Sequence, residues 1–200
     1  MSKTPSRATK ISPVNKLTAE AMLSALGILL MILIRFPLFP ATPYLVYDPA
    51  DVPILVGTLA FGTVPGLLMT IVVSFLQSFV FSSSGSGFYG FLMHAIATGL
   101  MVIVVGTLTK KNRTLPRTIL ALCLGTVAMT LGMVIMNLLI TPFYTGWPLQ
   151  AVIDVMPATI AFNIIKAGLN SFLAFLLYRV FRKILPKYFG DFSEKPVKTN

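Results

Sequence analysis

The sequence predicts an all-α integral membrane protein of six transmembrane helices with both termini cytoplasmic. Three observations predict it. The first is composition: 56% of the 200 residues are hydrophobic and 11% are charged, and a mean hydropathy of +0.84 is too apolar for a soluble domain. The second is the length of the apolar runs, several of which match the ~20 helical residues that cross a bilayer. A transmembrane barrel would instead alternate over roughly ten-residue segments. The third is where the cations fall. Lys3, Arg7, Lys10 and Lys16 precede the first apolar run; Lys110, Lys111, Arg113 and Arg117 separate the fourth and fifth; Arg179, Arg182, Lys183, Lys187, Lys195 and Lys198 follow the last. Six helices put these 14 of the 16 cations on one side, which the positive-inside rule makes cytoplasmic. Five or seven helices would scatter them. The net charge of +10 therefore orients the chain in the lipid bilayer and does not point to nucleic acid.

Taken in order, residues 1–16 read as a flexible basic cytoplasmic tail with no cleavable signal. Residues 17–185 form the transmembrane domain, and 186–200 a second basic cytoplasmic tail. Helix one is expected over Leu17–Arg35. Pro37, Pro40, Pro43 and Pro49 stiffen the loop that follows and disfavour helix. Helix two, Val52–Phe61, is short for a full span, so the loop before it crosses part of the width. Gly62-Thr63-Val64-Pro65-Gly66 reads as a tight turn, and Leu67–Phe81 as helix three. Ser82-Ser83-Ser84-Gly85-Ser86-Gly87 reads as a flexible loop. Helix four is expected over Phe88–Thr109 and helix five over Thr118–Ile140. An aromatic loop, Thr141–Asp154, then leads to helix six, Pro157–Tyr178. Cys123 has no partner for an intrachain disulfide and reads as a small packing residue.

Helix six carries the sharpest signal. Asn163, Lys166 and Asn170 recur at i, i+3 and i+7 and share one face. A lysine inside a span costs about 2.5–3.5 kcal/mol on insertion scales and usually faces a partner, a cavity or a ligand path. At about 1.5 Å rise per residue, Asn163 lies ~9 Å and Lys166 ~13 Å below Pro157, and Asn137 of helix five ~6 Å below Thr141. These three fall in the outer half of the membrane, where a cavity would open outward beneath the Pro/Tyr loop. Asparagine pairs a donor with an acceptor and lysine offers three donors, a set that suits a planar heterocycle with carbonyls and an N–H on its edge. With no acid inside the helices, compensation for a charged Lys166 falls to ligand carbonyls, to Asp48 or Asp51 in the loop, or to water.

Each residue also has a plainer reading. A transmembrane Asn is often interhelical glue worth about 1 kcal/mol or less, the reading for the deeper Asn170 and an open one for Asn137. His94 reads as a hydrogen-bonded packing residue, lacking a second His or an acidic partner for a metal site. Tyr44, Tyr47, Asp48, Asp51, Phe143, Tyr144, Trp147 and Asp154 lie in or beside the outer loops, where an aromatic interface belt equally describes Phe143 and Trp147. Ala21-Met22-Leu23-Ser24-Ala25 in helix one is a small-xxx-small pattern that lets another helix approach closely. No phosphate-binding loop, catalytic triad or intramembrane carboxylate pair is visible, so the chain does not read as an enzyme. Uphill transport would need an external energy source.

Several stretches together resemble a known family. They are Pro43-Tyr44-Leu45-Val46-Tyr47-Asp48-Pro49-Ala50-Asp51-Val52-Pro53-Ile54-Leu55, the Phe61-Gly62-x-x-Pro65-Gly66 turn, Gly87-Phe88-Tyr89-Gly90-Phe91, Asn137 before Thr141-Pro142-x-Tyr144, and Asn163-x-x-Lys166-x-x-x-Asn170. In order and spacing they resemble the riboflavin-binding substrate subunits of energy-coupling factor (ECF) transporters, over roughly residues 17–185. The resemblance implies six helices in a bacterial cell membrane and an outward pocket closed by the loop between helices one and two. It implies riboflavin as transported ligand rather than a cofactor. Asn137, Asn163 and Lys166 match ligand-contacting positions, and Ala21 and Ala25 match a motif that docks on a transmembrane coupling subunit. Two cytoplasmic ATP-binding subunits would then drive transport. Thr63 departs from the family turn, where proline is expected. Riboflavin's ring edge suits the asparagines and the lysine, leaving Tyr44, Tyr47, Asp48, Gly87 and Phe88 for the remainder of the ligand.

Three other readings compete: the same architecture for thiamine, biotin or a folate; a chromophore held on Lys166 as a Schiff base; and a membrane-embedded enzyme or assembly scaffold.

Overall fold

A computed structural model describes residues 12–40, 42–81 and 87–184. The C-terminal tail, most of the N-terminal tail and residues 82–86 of the expected serine-glycine loop lie outside the described residues. The elements run α1 (Pro13–Leu33), β1 (Phe36–Pro37), β2 (Val46–Tyr47), α2 (Asp51–Phe61), α3 (Thr63–Phe79), α4 (Gly87–Thr109), α5 (Leu115–Thr145), α6 (Leu149–Asp154) and α7 (Met156–Ile184). Among the described residues α1, α4, α5 and α7 are long and apolar enough to cross a membrane, and α2 and α3 are shorter apolar helices.

Helix ends differ from the sequence expectation for local reasons. α1 starts at Pro13, inside the expected tail, because Ser12 caps it: its Oγ accepts from the Asn15 N–H at 3.2 Å, and proline suits the first helical position. The expected five-residue turn shrinks to Gly62, whose φ of 101° breaks the chain between α2 and α3. Thr63–Gly66 is already the first turn of α3, where Pro65 is tolerated. α5 runs through Pro142 to Thr145 and stops at Gly146, a left-handed residue whose N–H donates to Pro142 O at 3.0 Å. The expected Thr141–Asp154 loop is therefore mostly helix, with α6 completing it.

α2 is the axis of the bundle. Every residue from Asp51 to Ala60 is buried, as expected of a helix that is apolar all round. α1, α3, α4 and α7 pack on it. Val52, Leu55, Val56 and Leu59 form the core with Met101, Val105, Leu122, Ala167 and Ala174. Gly66 lets α3 close on this axis, since a Cβ there would run into Thr58 and Val102. The outward faces carry exposed apolar side chains such as Leu131, Leu139, Phe172 and Leu176, the surface that lipid tails solvate. Cys123 is exposed on that face, so it is not the packing residue the sequence suggests.

The Pro-rich loop is ordered by a two-residue antiparallel pairing, Phe36 with Tyr47 and Pro37 with Val46. After it the chain turns inward: Tyr47, Asp48, Pro49 and Ala50 are all buried. α2 is short because it starts inside the bundle, with this segment supplying the missing depth.

Candidate functional site

The buried end of the loop meets the polar face of α7. Lys166 Nζ donates to Asp48 Oδ2 at 2.8 Å. Both residues are buried, at 7% and 3% exposure, so water screens the pair weakly. Asp48 is locked in turn, its Oδ1 accepting from the Ala50 N–H at 3.1 Å. The acid compensating Lys166 is thus drawn from the loop.

One turn deeper, Asn170 ties three pieces of chain together. Its Oδ1 accepts from Tyr47 Oη at 3.0 Å. Its Nδ2 donates to the Asp48 carbonyl and to Asp51 Oδ2, each at 3.3 Å. Asp51, fully buried, also accepts from Thr98 Oγ1 at 3.0 Å. His94 Nε2 stands 3.3 Å from Asp51 Oδ1, and His94 Nδ1 shares a 2.6 Å hydrogen bond with Ser74 Oγ. The expectation that His94 lacks an acidic partner is therefore corrected. Asp48 and Asp51, expected at the outer loops, are carried inside, and α2's first turn supplies the acid. Two carboxylates face one ammonium and one imidazole. Among the described residues no group of three or more His, Cys, Asp or Glu could hold a metal ion.

Asn137 belongs to a second cluster. Its Nδ2 donates to Met133 O at 2.8 Å and its Oδ1 accepts from Thr141 Oγ1 at 3.1 Å. Thr141 Oγ1 in turn lies 2.8 Å from Tyr89 Oη. The Tyr89 ring stacks flat on Tyr144, centroids 4.1 Å apart and planes 4° apart. Because α5 ends at Thr145, Asn137 lies about 12 Å from that end, deeper than the sequence suggests; Asn163 lies about 10 Å and Lys166 about 15 Å from the start of α7. Asn163, 2% exposed, donates to Thr159 O at 2.8 Å.

The structure therefore gathers Tyr47, Asp48 and Lys166 into one network with Asn170, Asp51, Thr98 and His94. It does not bring Tyr44, Gly87 or Phe88 into that network. Tyr44 is exposed and meets Trp147 edge-on at 6.5 Å. Gly87 opens α4 with φ of 46°, and the exposed Phe88 packs on Phe91. Ala21 and Ala25 are exposed on α1, while Ser24, Gly27 and Met31 of the same helix face inward. Asp51, one of the two acids the sequence offered for Lys166, is a charge at the edge of an apolar run and meets Asn170, Thr98 and His94 here. Sequence reasoning missed Thr98, Tyr89 and Thr141 as members of these clusters.

Fold and site together define a helical membrane protein that encloses a charge-paired polar site beneath a stiff loop. The family model "ECF transporter, substrate-specific component" matches residues 15–178, and the chain belongs to that family. It is 34% identical over 183 residues to "Riboflavin transporter FmnP" of Bacillus subtilis, covering 86% of this chain and 93% of that one. It is 27% identical over 180 residues to "Riboflavin transporter RibU" of Streptococcus thermophilus, covering 86% and 85%. A solved structure of the S component of a bacterial ECF transporter superposes with a TM-score of 0.73 at 28% identity, covering 87% of this chain and 99% of that chain. The family resemblance read from the motifs is borne out.

Proposed function

We propose that this chain is the riboflavin-binding S component of an ECF-type vitamin uptake transporter. The observation that carries the reading is near-full-length similarity to relatives named as riboflavin transporters, in a chain with asparagines and a lysine inside its bundle. α1–α5 and α7 would make the six crossings of a bacterial cell membrane, with both termini cytoplasmic. Ligand would enter from outside, beneath the β1–β2 loop. Asn137, Asn163 and Lys166 would bind the polar edge of the isoalloxazine ring. Lys166 suits this because Asp48 engages one of its three N–H groups, leaving two for ring carbonyls. Tyr47 and Asp48 would wall the pocket, with Tyr44, Gly87 and Phe88 at its mouth. The chain is a transporter component rather than an enzyme, and riboflavin is its cargo rather than a cofactor. Ala21 and Ala25 would dock on a transmembrane coupling subunit, with two cytoplasmic ATP-binding subunits supplying the energy.

The test is titration of riboflavin fluorescence with purified protein. A 1:1 endpoint is expected, with thiamine, biotin and folate failing to compete. Absence of quenching at micromolar ligand, or displacement by another vitamin, overturns the reading.

A further inference from the structure

We propose that the cleft between the start of α5 and the end of α7 binds the phosphate headgroup of an anionic phospholipid. The cleft is open on one side with a volume of about 410 Å³, lined by Arg113, Arg179, Arg182 and Lys183 and, among the described residues, by no carboxylate. Its floor is Thr118 and Tyr178, both buried.

The cations of α7 have one ordinary explanation, since Arg182 and Lys183 in a last turn complement the negative end of their own helix. That does not account for what they face. Across the cleft lies the start of α5, the positive end of a 31-residue helix whose cap, Thr114, makes no side-chain bond to its first turn. Arg113 adds a further charge beside it. Positive groups from two elements thus converge on one open cleft, and their repulsion favours an anion between them. Two of the guanidinium groups are already placed: Arg113 Nη1 donates to Ala60 O at 3.0 Å, and Arg179 lies over the Phe175 ring at 5.8 Å. Guanidinium groups so held suit the paired oxygens of a phosphate.

The surroundings select a lipid over a soluble phosphate. Leu115 on α5, in the cleft wall, and Leu176 and Val180 on α7, beside Arg179 in the chain, are exposed apolar side chains. They offer acyl chains a surface continuous with the headgroup site. Basic pockets between helices at a membrane surface bind anionic headgroups in this way.

Native mass spectrometry of the detergent-purified full chain tests this with phosphatidylglycerol and phosphatidylcholine as probes. Preferential retention of phosphatidylglycerol is expected. R179Q/R182Q should lower that occupancy about tenfold or more, and R182Q alone several-fold, whereas K110Q/K111Q, exposed and outside the cleft, should change it less than about twofold. An unchanged melting temperature shows that the variants fold; if the double variant does not, R182Q decides. Equal retention of the two lipids overturns the proposal. So does equal loss in the cleft and control variants, which marks a diffuse surface potential. Displacement of the lipid by millimolar inorganic phosphate overturns it in favour of a soluble-phosphate site.

Discussion

Lys166 and Asp48, 118 positions apart in the chain, meet at 2.8 Å inside the bundle and join the loop above the site to the helix beneath it. The pair ties the loop to α7, and separating it would leave a buried ammonium without its bonded carboxylate.

Removing one partner should therefore cost more than removing both. Asp48→Ala removes the carboxylate bonded to Lys166 and should lower stability by about 3–5 kcal/mol. The double variant Asp48→Asn with Lys166→Met should recover much of that loss while staying defective in ligand binding. Thermal melting in detergent, beside riboflavin titration, separates the two effects. A double variant whose loss equals the sum of the Asp48→Asn and Lys166→Met losses would show that the pair contributes no coupling.

Lys166→Ala and Asn137→Ala should each weaken riboflavin binding about tenfold or more, the scale of a lost hydrogen bond to a buried or charged group. Asn137 sits in the Thr141–Tyr89 cluster and Lys166 in the Asp48 network. No side chain bonds to both, so a departure from additivity in the double variant measures their coupling through the ring edge they would share. Fluorescence titration of the four proteins checks both points.

Asn170 bonds Tyr47, Asp48 and Asp51 at once. Asn170→Ala should raise hydrogen exchange across residues 44–50 before the rest of the bundle and cost roughly 1–3 kcal/mol for the buried partners left unpaired. Exchange read by mass spectrometry would contradict this if the loop stayed as protected as in the parent.

Ala21 lies exposed on α1, to one side of the face that packs on the bundle. Ala21→Trp should leave riboflavin binding intact and abolish uptake in cells, because bulk there obstructs close helix approach. Loss of both activities would point to misfolding instead of lost docking.

Gly66 brings α3 against α2 and α4. Gly66→Ala should destabilise the protein by about 1–3 kcal/mol, as overpacking does, because the new methyl meets Thr58 and Val102. Gly168 has open space around it, so Gly168→Ala should be near neutral or slightly stabilising, and a melting comparison of the two reads the difference.

Much of this protein was legible in its sequence because hydropathy and charge act locally. Apolar runs announce their length, and a lysine among them announces its cost whatever its neighbours. The spacing of Asn163, Lys166 and Asn170 put them on one helical face, and the structure turns that face inward. Helix ends were less legible. Helix five is expected to end at Ile140, yet α5 continues through Pro142 to Thr145 and ends where Gly146 takes up the left-handed conformation.

What the chain alone determined was the class of protein, the buried lysine and the stiffness of the loop above it. Which acid answers that lysine was decided only by the tertiary structure. Asp48 and Asp51 sit among prolines and look like surface charges, since nothing within a few residues shows that α2 begins in the middle of the bundle. That depth follows from packing α2 on four other helices at once. A residue's distance from water depends on those long-range contacts, and no local pattern encodes it.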